Sequence, residues 1–240
     1  MKAPPLIMKC REAVKKSGYY MMIVGLPGTG KTFLLRTVPN PGRSLIVDFE
    51  GGLRSVSDCD IDAAPLTSSA DFDRLLDEIE SGSLVGQYDL LFVDSFTALA
   101  DLVLSEQPDD PKLFKQKYGV LMSKILDYSS RFRHMPINVV ATAGINRNID
   151  TGLYEILTPG QQLPGKLGFL PDFVGATRVK EKADGSVEYG IQFAPRAPFE
   201  FCKSRDPHHA LGPFEKPNLA EIFQKLTDAE TKAIKLRGAA

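Results

Sequence analysis

The chain has 240 residues, 43% of them hydrophobic and 25% charged, with 29 basic and 30 acidic side chains and a formal net charge of −1. This is the balance of a globular protein with a sizeable core, either one large α/β domain or two small ones. It excludes a strongly basic monomer that coats nucleic acid by charge alone, and no apolar run approaches the ~18 residues of a membrane span.

In chain order, the first residues, Met1-Lys2-Ala3-Pro4-Pro5, lead into no long apolar stretch, so no secretory leader is expected. The segment 1–18 is too short for a domain and leaves room only for a brief assembly element such as Pro5-Leu6-Ile7. Residues 20–24 read as a buried strand and residues 31–36 as the start of a helix. A turn at Pro39-Asn40-Pro41-Gly42 precedes a strand over 44–50 that ends in two acids and Gly51-Gly52. Helical spacing of Phe72, Leu75, Leu76 and Ile79 predicts a helix over 68–79, with Ser69 or Asp71 as its cap. Residues 88–95 form another buried strand with an acidic end, followed by a helix to about Leu104 and an acidic loop at 106–111. Phe114, Tyr118, Leu121, Met122, Ile125, Tyr128 and Phe132 mark the longest amphipathic helix, and a strand follows over 137–143.

Residues 145–172 are rich in Gly and Pro and read as a long functional loop. Two alternating segments, 174–183 and 187–193, join at Asp184-Gly185 in a hairpin. Residues 199–202 are a further candidate strand, 219–226 a terminal helix, and 227–240 a basic tail. Cys10, Cys59 and Cys202 are scattered without ligand spacing, and His208-His209 beside Pro207 reads as loop surface. Such cysteine usage fits a reducing cytoplasm rather than a disulfide framework or a zinc site. Buried strands alternating with helices predict a mostly parallel sheet flanked by helices, with a C-terminal β-hairpin extension.

The most specific signal is Gly25-Leu26-Pro27-Gly28-Thr29-Gly30-Lys31-Thr32, a match to G-x-x-x-x-G-K-[ST] between a strand and a helix. The glycines let successive N–H groups point at phosphate oxygens, and the helix N-terminus adds partial positive charge. Gly25, Pro27, Gly28, Thr29, Gly30, Lys31, Thr32 and Phe33 are therefore the candidate nucleotide contacts. Lys31 would reach the β- and γ-phosphates, and Thr32 would ligate Mg²⁺.

Three further details separate classes of P-loop ATPase. Asp94 is followed by Ser95, where the AAA+ type normally places its catalytic glutamate. A glutamate stands instead in Val47-Asp48-Phe49-Glu50-Gly51-Gly52, and Lys203-Ser204-Arg205 follows the hairpin. With Leu163-Pro164-Gly165-Lys166-Leu167, these residues give a pattern over 18–226 that resembles the RecA family of recombinases. It is most similar to the short, core-only members encoded by bacteriophages, which act in recombination and single-strand annealing. The resemblance implies a RecA-like P-loop NTPase core over 19–226, with ATP and Mg²⁺ as ligands. By the same resemblance, Glu50 activates the attacking water, Thr32 and Asp94 hold Mg²⁺, and Lys203 and Arg205 reach the ATP of a neighbouring subunit. Asn146 stands one place beyond the usual γ-phosphate sensor, where apolar Ile145 aligns. Single-stranded DNA, copies of the same chain in a filament or ring, and a single-strand-binding protein are the implied partners. The implied location is the cytoplasm of a bacterial host.

The residues themselves leave other readings open. Glu50 also fits a turn carboxylate, and Lys203 and Arg205 fit an exposed strand edge. Arg147 and Tyr154, within 146–162, suit phosphate contact and base stacking, but also an ordinary surface loop. A helicase, a helicase loader and a nucleotide-gated regulatory module remain as alternatives.

Overall fold

The computed structural model describes residues 17–160 and 162–238, so Pro5-Leu6-Ile7 and most of the 1–18 segment lie outside the described residues. Apolar runs form β1 (Tyr20–Val24), β2 (Ser44–Asp48), β4 (Leu90–Asp94) and β5 (Asn138–Ala143). They pair in parallel with β3 (Asp62–Pro65) and β8 (Phe173–Glu181), in the order β3-β2-β4-β5-β1-β8. β9 (Val187–Gln192), β10 (Lys203–Ser204) and β11 (Phe214–Glu215) extend this sheet with antiparallel pairings. β5 thus lies between β1, which leads into the P-loop, and β4, which ends in Asp94. This is a mostly parallel α/β sheet with the P-loop at the end of β1.

Alternation along each buried strand feeds two apolar layers. Tyr20, Met22 and Val24 face α1 (Ser69–Ser81), α2 (Phe96–Ser105) and α3 (Phe114–His134), together with Leu91, Val93, Val139 and Ala141. Met21 and Ile23 face the other way, with Phe92 and Val140, onto Leu34 and Leu35 and onto α5 (Leu219–Gly238). Side chains pointing both ways leave the C-terminal strand ends free at one edge, where loops can converge on a ligand.

Several elements differ from the sequence expectation. The segment after the P-loop is a six-residue 3-10 helix, Thr32–Thr37. Pro39 holds Val38 extended, so the segment stops after a tight turn. The cap of α1 is Ser68, whose hydroxyl accepts from the Asp71 amide at 3.1 Å, while Ser69 hydrogen-bonds Glu106. Residues 145–172 are not an open loop: β6 (Ile145–Arg147) and β7 (Tyr154–Ile156) make a second hairpin, and α4 (Leu163–Leu167) follows. Its turn closes through the Asn148 amide on the Leu153 carbonyl (2.8 Å) and the Gly152 amide on the Asn148 carbonyl (2.9 Å). Residues 199–202 form turns, with amides bonded three residues back. The terminal helix runs to Gly238 rather than ending near Leu226, because Ala, Glu, Lys and Leu favour continuation and no Gly or Pro intervenes.

An aromatic cluster ties α3 to the sheet. Phe132 meets Tyr20, Phe72 and Phe96 at centroid distances of 5.5, 6.1 and 6.0 Å, in edge-on geometry. Phe132→Ala is expected to lower stability by about 3–5 kcal/mol, read from the denaturant midpoint at unchanged slope.

Candidate nucleotide site

The P-loop leaves β1 at the strand end beside β5, where the Gly25 amide bonds the Ala143 carbonyl at 3.1 Å. Gly28 and Gly30 adopt φ of 75° and 89°, a left-handed backbone that side-chain-bearing residues resist. Lys31 turns back over the loop and donates to the carbonyls of Gly25 and Leu26, each at 3.0 Å. Burial holds its pKa below the ordinary lysine value, opposed by the nearby charges of Glu50 and Asp94. A β8 residue braces the loop from the other side. The Thr177 hydroxyl meets the Thr29 hydroxyl at 2.7 Å and donates to the Val24 carbonyl at 3.2 Å. Gly25 is required here, because a Cβ at that position would lie 1.8 Å from Thr177 Oγ1.

The acidic half of the site comes from β4 and β2. Asp94 is only 2% exposed. Its Oδ2 accepts from the Thr32 hydroxyl at 2.6 Å, and its Oδ1 accepts from Thr142 on β5. Asp48 is in register with Asp94, and its Oδ1 accepts from the amides of Glu50, Gly51 and Gly52 at 3.1, 2.9 and 3.2 Å. This fan of bonds folds the chain after β2 into a tight loop that carries Glu50. The Glu50 carboxylate in turn accepts from the Ser95 hydroxyl. Phe33 is 56% exposed just past Thr32, with the Arg36 guanidinium 5.2 Å from its ring centre and Arg36 paired to Asp58 at 2.7 Å.

Lys31, Thr32, Asp94 and Glu50 therefore lie close together. The residues fit a nucleotide and a divalent cation. Space is open above Gly28 and Gly30, and among the described residues the carboxylate of the buried Asp94 has neutral hydroxyls as its hydrogen-bond partners. Asp48, Ser95, Thr142 and Thr177 complete the site and were not among the sequence candidates. The visible signal for the threonines was a hydroxyl inside an otherwise apolar strand.

The remaining candidates lie elsewhere. Lys203 pairs in register with Val174, near the strand end opposite the P-loop, and Arg205 lies just beyond. Lys203 donates to the carbonyls of Gly168 and Phe169 at 2.7 and 3.1 Å, and Arg205 donates to Phe169 O at 2.9 Å. Burial first, then the Arg205 charge, pushes the Lys203 pKa down to about 8. Asn146 is exposed on β6, paired in register with Glu155. A cavity of about 260 Å³ separates the P-loop from the second hairpin, lined by Leu26, Thr29, Tyr154, Arg178 and Phe199.

A protein-family model described as an AAA domain matches residues 17–195, and the chain belongs to that family. No curated protein matches the chain. Among solved structures, a KaiC-like protein from the hyperthermophilic archaeon Pyrococcus horikoshii OT3 is 15% identical. That alignment covers 73% of this chain and 79% of the archaeal one, with a TM-score of 0.42. The chain is thus a P-loop AAA-type ATPase domain in which serine, not glutamate, follows the buried aspartate. Among the described residues, no helix is long and apolar enough to cross a membrane.

Asp48→Ala removes the acceptor that shapes the Glu50 loop. It is expected to cost about 1–3 kcal/mol of stability and to slow ATP turnover more than it weakens nucleotide binding. Thermal unfolding and steady-state kinetics measure the two effects.

Proposed function

We propose that this protein hydrolyses ATP with Mg²⁺ and acts on single-stranded DNA, in recombination or strand annealing, as an assembly of identical subunits. The observation that carries the hydrolytic part is the meeting of Lys31, Thr32, Asp94 and Glu50 at the strand ends. Loop amides and Lys31 bind the phosphates, with Lys31 exchanging its two carbonyl partners for phosphate oxygens. Thr32 and Asp94 would hold Mg²⁺, which would supply charge neutralisation at the phosphate oxygens. Glu50 accepts a proton from water as the water oxygen bonds the γ-phosphorus. The bond to the bridging oxygen breaks, and its electrons leave with ADP.

The DNA reading rests on the surface beside the second hairpin. A cavity of about 740 Å³ is lined by Phe114, Lys115, Tyr118, Met122, Gly160 and Leu163. Phe114 is 61% exposed, and Ile149 at the hairpin tip is 95% exposed. Aromatic faces beside lysines suit an unpaired strand, with bases stacked and phosphates neutralised. Two of the nearby acids are turned to structural work, and the third, exposed, faces a lysine. Glu106 binds Ser69, Asp109 faces Lys117 at 3.8 Å, and Asp110 accepts from the Lys112 amide at 2.8 Å. Arg147 and Tyr154 also serve the fold. Arg147 donates to the Gly152 carbonyl at 3.2 Å, and Tyr154 stacks on Phe199 at 4.8 Å. Phe114 and Tyr118 are therefore the better candidates for base contact. The assembly reading rests on Lys203 and Arg205, which lie at the strand end opposite their own P-loop and would exchange the Gly168 and Phe169 carbonyls for the phosphates of a neighbour.

Lys31→Ala is expected to abolish turnover. Glu50→Gln should keep ATP binding and lower kcat about 10²-fold. A coupled phosphate-release assay and nucleotide titration separate these outcomes, and parent-like turnover in Lys31→Ala rejects the site.

Phe114→Ala with Tyr118→Ala is expected to weaken binding of a fluorescent oligothymidylate about tenfold or more, with basal hydrolysis retained. Anisotropy at low salt with ATP measures it. A parent with no affinity for single strands favours the regulatory-module reading.

Lys203→Ala/Arg205→Ala mixed with Lys31→Ala should recover hydrolysis, since each variant supplies the half the other lacks. The Lys203 ammonium is present below its pKa of about 8 and lost above it. The fraction of Lys203 charged and able to leave its carbonyls for a phosphate should therefore fall as pH rises past about 8, whereas Lys203→Arg, which stays charged, should hold its activity there. A parent and a Lys203→Arg variant with identical pH profiles would count against the contact.

A further inference from the structure

The two acidic strands and the second hairpin meet at the first turn of α2, and two hydroxyls there bond in opposite directions. Ser95 caps the helix by accepting from the Ala98 amide at 3.2 Å, and its own proton goes to the Glu50 carboxylate. Ser95 is almost fully buried, so water does not replace it easily. Two residues on, the Thr97 hydroxyl accepts from the Gly144 amide at 2.9 Å and donates to the Leu157 carbonyl at 3.0 Å. The Leu157 amide closes the ring on the Gly144 carbonyl at 2.8 Å. Gly144 and Leu157 are the residues immediately before β6 and after β7. The root of the hairpin is therefore clamped to the same helical turn that holds Glu50.

We propose that Ser95 is a positioning residue for Glu50, and that Thr97 couples the hairpin to it, so that a ligand held by the hairpin and the nucleotide influence each other through the first turn of α2. The proposal rests on Glu50 as the water-activating carboxylate. Its physical basis is geometric. A carboxylate on a loop is free to rotate unless a donor fixes it, and a base displaced by a fraction of an ångström transfers protons poorly. Ser95 supplies that donor from a rigid helix end. A hydroxyl that both donates and accepts at the hairpin root transmits any displacement of Gly144 and Leu157 to the same turn. Coupling of this kind is reciprocal, so nucleotide must also alter the hairpin.

Two measurements on the full chain test it. In steady-state hydrolysis, Ser95→Ala is expected to lower kcat about tenfold with KM within about twofold. Because Ser95 acts through Glu50, Ser95→Ala/Glu50→Gln should turn over no more slowly than Glu50→Gln alone. A role confined to capping α2 would instead add its full loss in the double variant. Parent-like kcat in Ser95→Ala, or additive losses, overturns the positioning claim. If Glu50→Gln itself keeps the parent kcat, the reading of Glu50 falls, and this proposal falls with it.

The second measurement is hydrogen exchange of the amides of residues 145–157, with and without adenylyl imidodiphosphate. It needs no DNA. The parent is expected to show a nucleotide-dependent change in hairpin protection. Thr97→Val should lose that change while still binding the nucleotide, and Thr97→Ser should restore it. A Thr97→Val hairpin that responds as the parent does overturns the coupling claim.

Discussion

A nearly dry carboxylate organises this protein. Asp94 closes β4 where water scarcely reaches, and a buried charge left without partners costs on the order of several kcal/mol. The fold meets that demand with two hydroxyls from different elements, Thr32 after the P-loop and Thr142 on β5. Neutral hydroxyls soften the charge without cancelling it. Lys31 and, in the proposed reading, a metal ion are the groups that would complete it. Resting Lys31 on two loop carbonyls keeps its ammonium hydrogen-bonded until phosphate takes their place.

Sheet order makes that arrangement possible. Inserting β5 between β1 and β4 opens room for Thr142 and lets Ala143 hold the start of the P-loop. Placing β2 on the far side of β4 brings Asp48 into register with Asp94 and sends Glu50 to the same edge. Glu50 and Asp94 thus come from neighbouring strands, and Ser95 stands directly after Asp94. Its hydroxyl is short enough to reach Glu50 and still cap α2.

Much of this was legible in the sequence for a simple reason. β1, β2 and β4 are uninterrupted apolar runs, and a P-loop has few substitutes for its glycines and lysine. The Asp184-Gly185 turn likewise announced β8 and β9. What escaped notice lacks a local pattern. β3 reads Asp-Ala-Ala-Pro at the sheet edge, and β10 and β11 are two residues each, so pairing alone defines them. The hairpin at 145–157 has strands of three residues, too short to show alternation, and is held by distant partners: Thr97, and Phe199 stacked on Tyr154. Asp48 carries no motif of its own beside Glu50 in the sequence. Its work is done through backbone amides, which side-chain periodicity does not reveal.

The central claim is that Lys31, Thr32, Asp94 and Glu50 form one nucleotide-cleaving site. A crystal structure with Mg²⁺, ADP and beryllium fluoride tests it most directly. The account expects Lys31 to leave the carbonyls of Gly25 and Leu26 for the phosphates, the metal beside Thr32 and Asp94, and a water between Glu50 and the beryllium. Lys31 still seated on those carbonyls, with nucleotide and metal bound elsewhere, would contradict it.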